Sequence, residues 1–92
     1  MSGNGKNSYR FSYTDTISHK LRRVKKKDKL LYSRIQKKVS EIIDSPFLGK
    51  PLRNILKNRR RVQIGPFVLI YEIVEEQKEI RFLDFDHHDK VY

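Results

Sequence analysis

Three successive arginines, Arg59 to Arg61, and a closing run of His87, His88, Asp89, Lys90, Val91 and Tyr92 are the residues best suited to chemistry on a phosphodiester. Cleaving RNA through its own 2′-hydroxyl needs a base for that hydroxyl, positive charge for the developing phosphorane and a proton for the leaving 5′-oxygen. His87 or His88 could move either proton near neutral pH, the arginines could hold the phosphorane through bidentate bonds, and Tyr92 could donate a proton or stack on a base. Such a reaction requires no metal and no other cofactor. Side chains alternate along a strand, so the three arginines cannot share one site; Arg61 is the expected catalytic cation, with Arg59 on its face. His87 and His88 likewise face opposite ways if extended, so at most one of them should act. A metal site built from His87, His88 and Asp86 or Asp89 would draw on adjacent residues without a third, spaced ligand, and none is expected.

The formal net charge is +10, and it is unevenly placed. Residues 19–38 carry ten Lys and Arg against Asp28 alone, residues 47–61 carry six against no acid, and residues 62–92 hold three against seven Asp and Glu. A polyanion is the natural partner for such blocks, because displaced counterions favour binding whatever the base sequence. Arg22, Arg23, Lys25, Lys26 and Lys27 are candidates for binding structured RNA, and Lys50, Arg53, Lys57, Arg59 and Arg60 for following an RNA backbone. The competing reading is a lysine-rich, solvated helix face that only aids solubility. No membrane partner is expected: no stretch approaches the roughly 18 apolar residues of a span, and the basic helices lack bulky aromatics on their apolar faces. With no cysteine, disulfide frameworks and thiolate chemistry are excluded, and a reducing cytoplasmic location is expected.

These groups need a scaffold, and 92 residues suffice for one small domain. Residues 1–8 read as a flexible tail, leaving 9–92 as the single domain. Tyr9 to Tyr13 alternates large aromatic with polar side chains, the pattern of a half-buried strand whose Tyr9, Phe11 and Tyr13 are expected in the core. Thr14, Asp15 and Thr16 offer cap oxygens for a helix carrying Ile17, Leu21 and Val24 on one stripe. Asp28 can cap a second helix with its stripe at Leu31, Ile35, Val39 and Ile42, ended by Ser45-Pro46. Phe47 to Asn58 reads as a connector with a helical turn over residues 52–56. Arg59 to Ile64 alternates as a strand, and Gly65-Pro66 suits a type II′ hairpin, glycine taking the positive φ. Phe67 to Val74 is apolar enough for a central strand, and Ile80 to Phe85 makes the last. The order is β-α-α-β-β-β, an α+β fold with a helical hairpin packed on a twisted, mainly antiparallel four-stranded sheet.

This order resembles the RelE/ParE toxin superfamily of toxin–antitoxin systems. Three segments carry the resemblance: Leu48-Gly49-Lys50-Pro51-Leu52-Arg53, Val62 to Ile73 across the hairpin, and His87-His88-Asp89-Lys90-Val91-Tyr92. The resemblance implies a microbial-RNase-like fold. For the RelE branch it implies a ribosome-dependent, metal-independent endoribonuclease that cuts mRNA in the decoding site, inhibits translation and is held inactive by a cognate antitoxin. Arg61 stands where that branch often has its first catalytic Lys or Arg, and Tyr92 on its terminal tyrosine. Val68 replaces the arginine usual on the central strand, His88 replaces the arginine that follows the family's histidine, and Gln63 stands where a second basic residue is common. The ParE branch instead acts on DNA gyrase without catalysis, and a member that only binds RNA or antitoxin is the third reading. The expected partners are therefore an antitoxin with an acidic, amphipathic segment, the ribosome and mRNA.

Overall fold

A computed structural model describes residues 9–52 and 58–91 of the chain. The elements are β1 (Arg10–Tyr13), α1 (Asp15–Lys27), α2 (Lys29–Asp44), β2 (Lys50–Pro51), β3 (Arg59–Ile64), β4 (Phe67–Val74), β5 (Glu79–His87) and a final helical turn, α3 (His88–Val91). They form one sheet in the order β1-β5-β4-β3-β2. The α+β class and the helical hairpin agree with the sequence reading. The strand number is a correction: five rather than four, the addition being the two-residue β2 opposite Arg60 and Arg61. Only β1 runs parallel to its neighbour, β5.

Local chemistry explains the helices. The Thr14 hydroxyl accepts from the Ile17 N–H at 3.3 Å and donates to the Leu83 carbonyl at 2.7 Å, so it caps α1 and ties it to β5 at once. Asp28 accepts from the Leu31 N–H at 3.0 Å and is the whole break between the two helices. Ile17, Leu21, Ile35, Val39 and Ile42 lie buried against Ile64, Leu69, Tyr71, Ile73, Ile80, Phe82 and Phe85 of the sheet. Gly65 takes φ 59°, as the hairpin requires, and Ile64 faces Phe67 across it. Phe11 departs from the expected core stripe: at the outer edge on β1 it is half exposed, while Tyr9 and Tyr13 pack partly against the core.

Two details decide which way functional side chains point. Cross-strand partners share a face, so Arg61, opposite Ile70, lies on the helix-free face, whereas Val62, opposite Leu69, faces the helices. Between Ile70 and Tyr71 the β4–β5 register shifts through a bulge: Ile70 faces Asp84 but Tyr71 faces Phe82. That extra residue on β5 inverts its alternation, so Phe82 and Phe85 both reach the core despite their odd spacing.

Candidate nucleic-acid interface

Arg61 is placed by a lock between the connector and the sheet. The buried Tyr71 hydroxyl donates to the Pro46 carbonyl at 2.7 Å and accepts from the Gly49 N–H at 2.9 Å. Burial pushes the Tyr71 phenol above its ordinary value, so it stays a neutral donor. A Cβ on Gly49 would lie 2.7 Å from both the Arg61 carbonyl oxygen and the Tyr71 hydroxyl, so glycine is what lets the connector approach. Arg60 completes the lock from the helical side, donating to the Gly49 carbonyl at 2.6 Å and lying 4.9 Å from the Phe47 ring centre. Among the arginine triplet Arg60 is thus engaged in holding the connector, and the outcome is that Lys50 sits directly opposite Arg61.

Lys50 and Arg61 share a concavity of about 320 Å³ whose wall includes Lys38 of α2. Three cations around one hollow, closed on one side by the Gly49 backbone, are a site for an anion of phosphate size. Arg59 lies one row along the same face opposite Glu72, and its buried Nε has no hydrogen-bond partner among the described residues.

The histidines are arranged differently. His87 faces Phe67, their rings 5.8 Å apart and edge to face, which puts it on the helical side. Arg61 and His87 are two strands and three residues apart, on the order of 14 Å between Cα atoms, and on opposite faces; the structure does not bring them together. His88 opens α3, its N–H donating to the Pro66 carbonyl at 2.9 Å and its Nδ1 lying 3.7 Å from the Asp89 carboxylate. Tyr92, Arg53 and Lys57, and the helical turn expected over residues 52–56 apart from Leu52, lie outside the described residues. Among the described residues no three histidine or carboxylate side chains gather as a metal site, and no helix is long and apolar enough to cross a membrane.

The α1 cations divide. Arg22 and Lys25 border a hollow with Tyr13 and Tyr32, Lys25 lying 5.6 Å from the Tyr32 ring centre. Arg23 and Lys27 border a second groove of about 340 Å³ floored by Phe67 and Phe85, while Lys26 is simply exposed. In that second groove Lys20 donates to Asp84 at 2.8 Å and to Asp86 at 2.9 Å. Burial alone would lower the Lys20 pKa, but these two hydrogen bonds outweigh it and raise the value. The same contact, with help from the His87 N–H, holds Asp86 below the usual carboxylate range. Sequence reasoning passed over Arg34, Lys37 and Lys38; their i, i+3, i+4 spacing beside the buried Ile35 and Val39 was the available signal.

Comparison with known proteins agrees with this architecture. Residues 11–92 match the sequence profile of the ParE toxin of type II toxin–antitoxin systems, parDE. RelE4 of Methanocaldococcus jannaschii is 36% identical over 85 residues, covering 91% of this chain and 90% of its own. The RelBE2 toxin–antitoxin complex of Mycobacterium tuberculosis contains a chain 25% identical, with a TM-score of 0.70 over 87% of this chain and 98% of that one. The chain matched in the intact Escherichia coli RelBE complex is 17% identical, with a TM-score of 0.75 over 87% of this chain and 96% of its own, and speaks to fold.

Proposed function

Because the chain belongs to the ParE toxin family of type II toxin–antitoxin systems and is a toxin of the RelE/ParE type, we propose that it acts by cleaving mRNA on the ribosome. The observation that carries this reading is Lys50 opposite Arg61, with Lys38 in the wall of the same hollow. Those cations would neutralise the scissile phosphate and its developing charge, which is where electrostatic preorganisation contributes most to rate. His87 faces the helices and His88 follows it at the far end of β5, two strands from Arg61, so neither reaches a phosphate held between Lys50 and Arg61, and the chemistry proposed for that hollow is electrostatic. No metal enters the scheme. A toxin of translating ribosomes works in the cytoplasm, and a cognate antitoxin is its proposed partner: the relatives from E. coli and M. tuberculosis are in toxin–antitoxin complexes. Programmed ribosomes incubated with the protein should yield cut message, and the Arg61→Ala protein should not; intact message in both cases ends the nuclease reading.

A second reading, a non-catalytic toxin acting on DNA gyrase, is favoured by one observation. Val68, at the position where the RelE branch carries an arginine, is fully buried in the central strand, so nothing on β4 adds charge to the hollow. A supercoiling assay separates the two: inhibition of gyrase by a protein that leaves message whole would select this second reading.

A further inference from the structure

Along the outer edge of β3 the Lys50–Arg61 hollow does not end. A second hollow, of about 290 Å³, adjoins it, and Lys38 and Gln63 line both. Arg34 and Lys37 join Lys38 in its wall, three cations on one stripe of α2. Arg34 stands at the far end: its guanidinium nitrogens lie 3.7 and 3.9 Å from where a Cβ on Gly65 would stand, over the hairpin turn. From Arg61 to Gly65 the passage runs about 13 Å at the rise of a strand. Five cations line it against one carboxylate, Glu41, which holds Lys38 at 3.1 Å.

Across β4 and β5 the described cations lie beside carboxylates. Arg81 lies 4.0 Å from Glu72 and 3.8 Å from Glu79, and Lys20 is held by Asp84 and Asp86. A polyanion leaving the Arg61 site across β4 and β5 would meet those carboxylates, whereas the charged groups lining the route over the β3 edge, among the described residues, are five cations and Glu41. A polypeptide strand is a poorer occupant. The Leu52 N–H donates to the Arg59 carbonyl at 3.0 Å, so alternate residues of β3 from Arg59 present their backbone outward. Lys50 already faces Arg61, leaving Gln63 alone for a strand to pair with. Ile64 is buried and offers no apolar anchor.

We propose that Arg34, Lys37 and Lys38 form a phosphate track that carries single-stranded RNA from the Arg61–Lys50 site around the β3 edge to the Gly65 turn. This rests on the RNA reading above and adds the path of the strand. Each phosphate contact contributes about 0.7 to the slope of log K against log salt for a single strand. Neutralising the track with Arg34→Gln, Lys37→Gln and Lys38→Gln should therefore lower that slope by about 2 for a 12-nucleotide oligouridine. A matched control, Arg10→Gln, Lys29→Gln and Lys78→Asn, removes three cations elsewhere and should change it little. The charge-conserving set Arg34→Lys, Lys37→Arg and Lys38→Arg should restore binding, and unchanged circular dichroism would show that the folds are comparable.

The outcomes separate. If the track variant binds oligouridine with the original slope while Arg61→Ala weakens binding, the track is overturned and the RNA reading stands. If neither variant affects RNA binding, both fall. Equal losses in the track and control variants would mean undirected charge and overturn the track. Unchanged RNA binding with lost affinity for a polyglutamate peptide would assign the groove to a protein partner instead.

Discussion

Two grooves flank the helical layer, and both are lined by cations, yet they differ in what those cations are doing. In the groove between α2 and β3, Lys50, Arg61, Arg34 and Lys37 stand around one carboxylate that is already turned to Lys38. In the groove between α1 and β5, Lys20 is bound by Asp84 and Asp86, Asp28 caps α2, and the floor is the stacked pair Phe67 and Phe85, centroids 5.1 Å apart. The lesson is that charge count does not choose a ligand class; the surplus left after internal pairing does. The first groove gathers five cations around one carboxylate, with Leu48 and Val62 also in its wall, and that excess of positive charge suits it to phosphates. The second uses part of its charge to hold β5 to α1 and exposes the edge of an aromatic stack.

The largest effect expected from this contrast is on cleavage. Arg61→Ala should reduce cutting of ribosome-bound message by about 10²- to 10³-fold, the scale of losing one preorganised donor to a developing oxyanion. Arg23→Ala, in the other groove, should reduce it only a few-fold. Equal losses in single-turnover assays would erase the distinction between the grooves.

Next in size is the lock that sets Lys50 against Arg61. Tyr71→Phe leaves the Pro46 carbonyl and Gly49 N–H without their buried partner, a loss of about 1–3 kcal/mol. Calorimetry should show Tm falling by about 4–8 °C for each kcal/mol in a domain of this size. Gly49→Ala should be at least as harmful, because its Cβ would meet both the Arg61 backbone and the buried Tyr71 hydroxyl, neither of which can easily give way. A Tm within a degree of the parent for both proteins would show that the connector is held by something else.

What the sequence revealed follows from how local each signal is. The stripes at Ile17, Leu21 and Val24 and at Leu31, Ile35, Val39 and Ile42 repeat within single helices, and the caps Thr14 and Asp28 sit within three residues of the N–H groups they accept. The Gly65-Pro66 hairpin is equally local, because a positive φ is a property of one residue. β2 was not legible: a two-residue ladder including Pro51 has no period, and it exists because Tyr71, far along the chain, holds Pro46 and Gly49. Nor was the direction of His87, which depends on a bulge opposite Ile70 and Tyr71 that shifts every later side chain of β5 to the other face. Arg34, Lys37 and Lys38 were visible as charge but not as a site, because the same exposed stripe faces either water or a sheet edge according to how α2 docks.

A smaller effect belongs to Asp28, which borders the second groove and caps α2. Asp28→Ala should destabilise the protein by about 1 kcal/mol while leaving oligouridine binding through the first groove intact. A loss of RNA affinity without loss of stability would show that the grooves communicate.

The smallest effect is a pH dependence confined to the second groove. Asp86 is held below its ordinary value of 3.8, so its contribution to stability is complete above that value and fades as pH falls through the lower folded one. Lys20 is raised above 10.5, so its contribution is complete below that value and fades only as pH rises past the folded one. The window in which both are charged spans neutrality. These side chains remain 30–40% exposed, so solvent screening limits the clamp to a few tenths of a kcal/mol, up to about 1. Lys20→Met should therefore cost little at pH 7, and the gap between variant and parent should close as the pH falls through the lowered folded value of Asp86, where it loses its charge in the folded protein too. Salt should narrow the same gap at pH 7, since the pair faces water. Urea titrations of both proteins at a series of falling pH values measure it; a gap that persists undiminished to the acid end of the series would mean that Lys20 stabilises through its packed methylenes rather than through its ion pairs with Asp84 and Asp86.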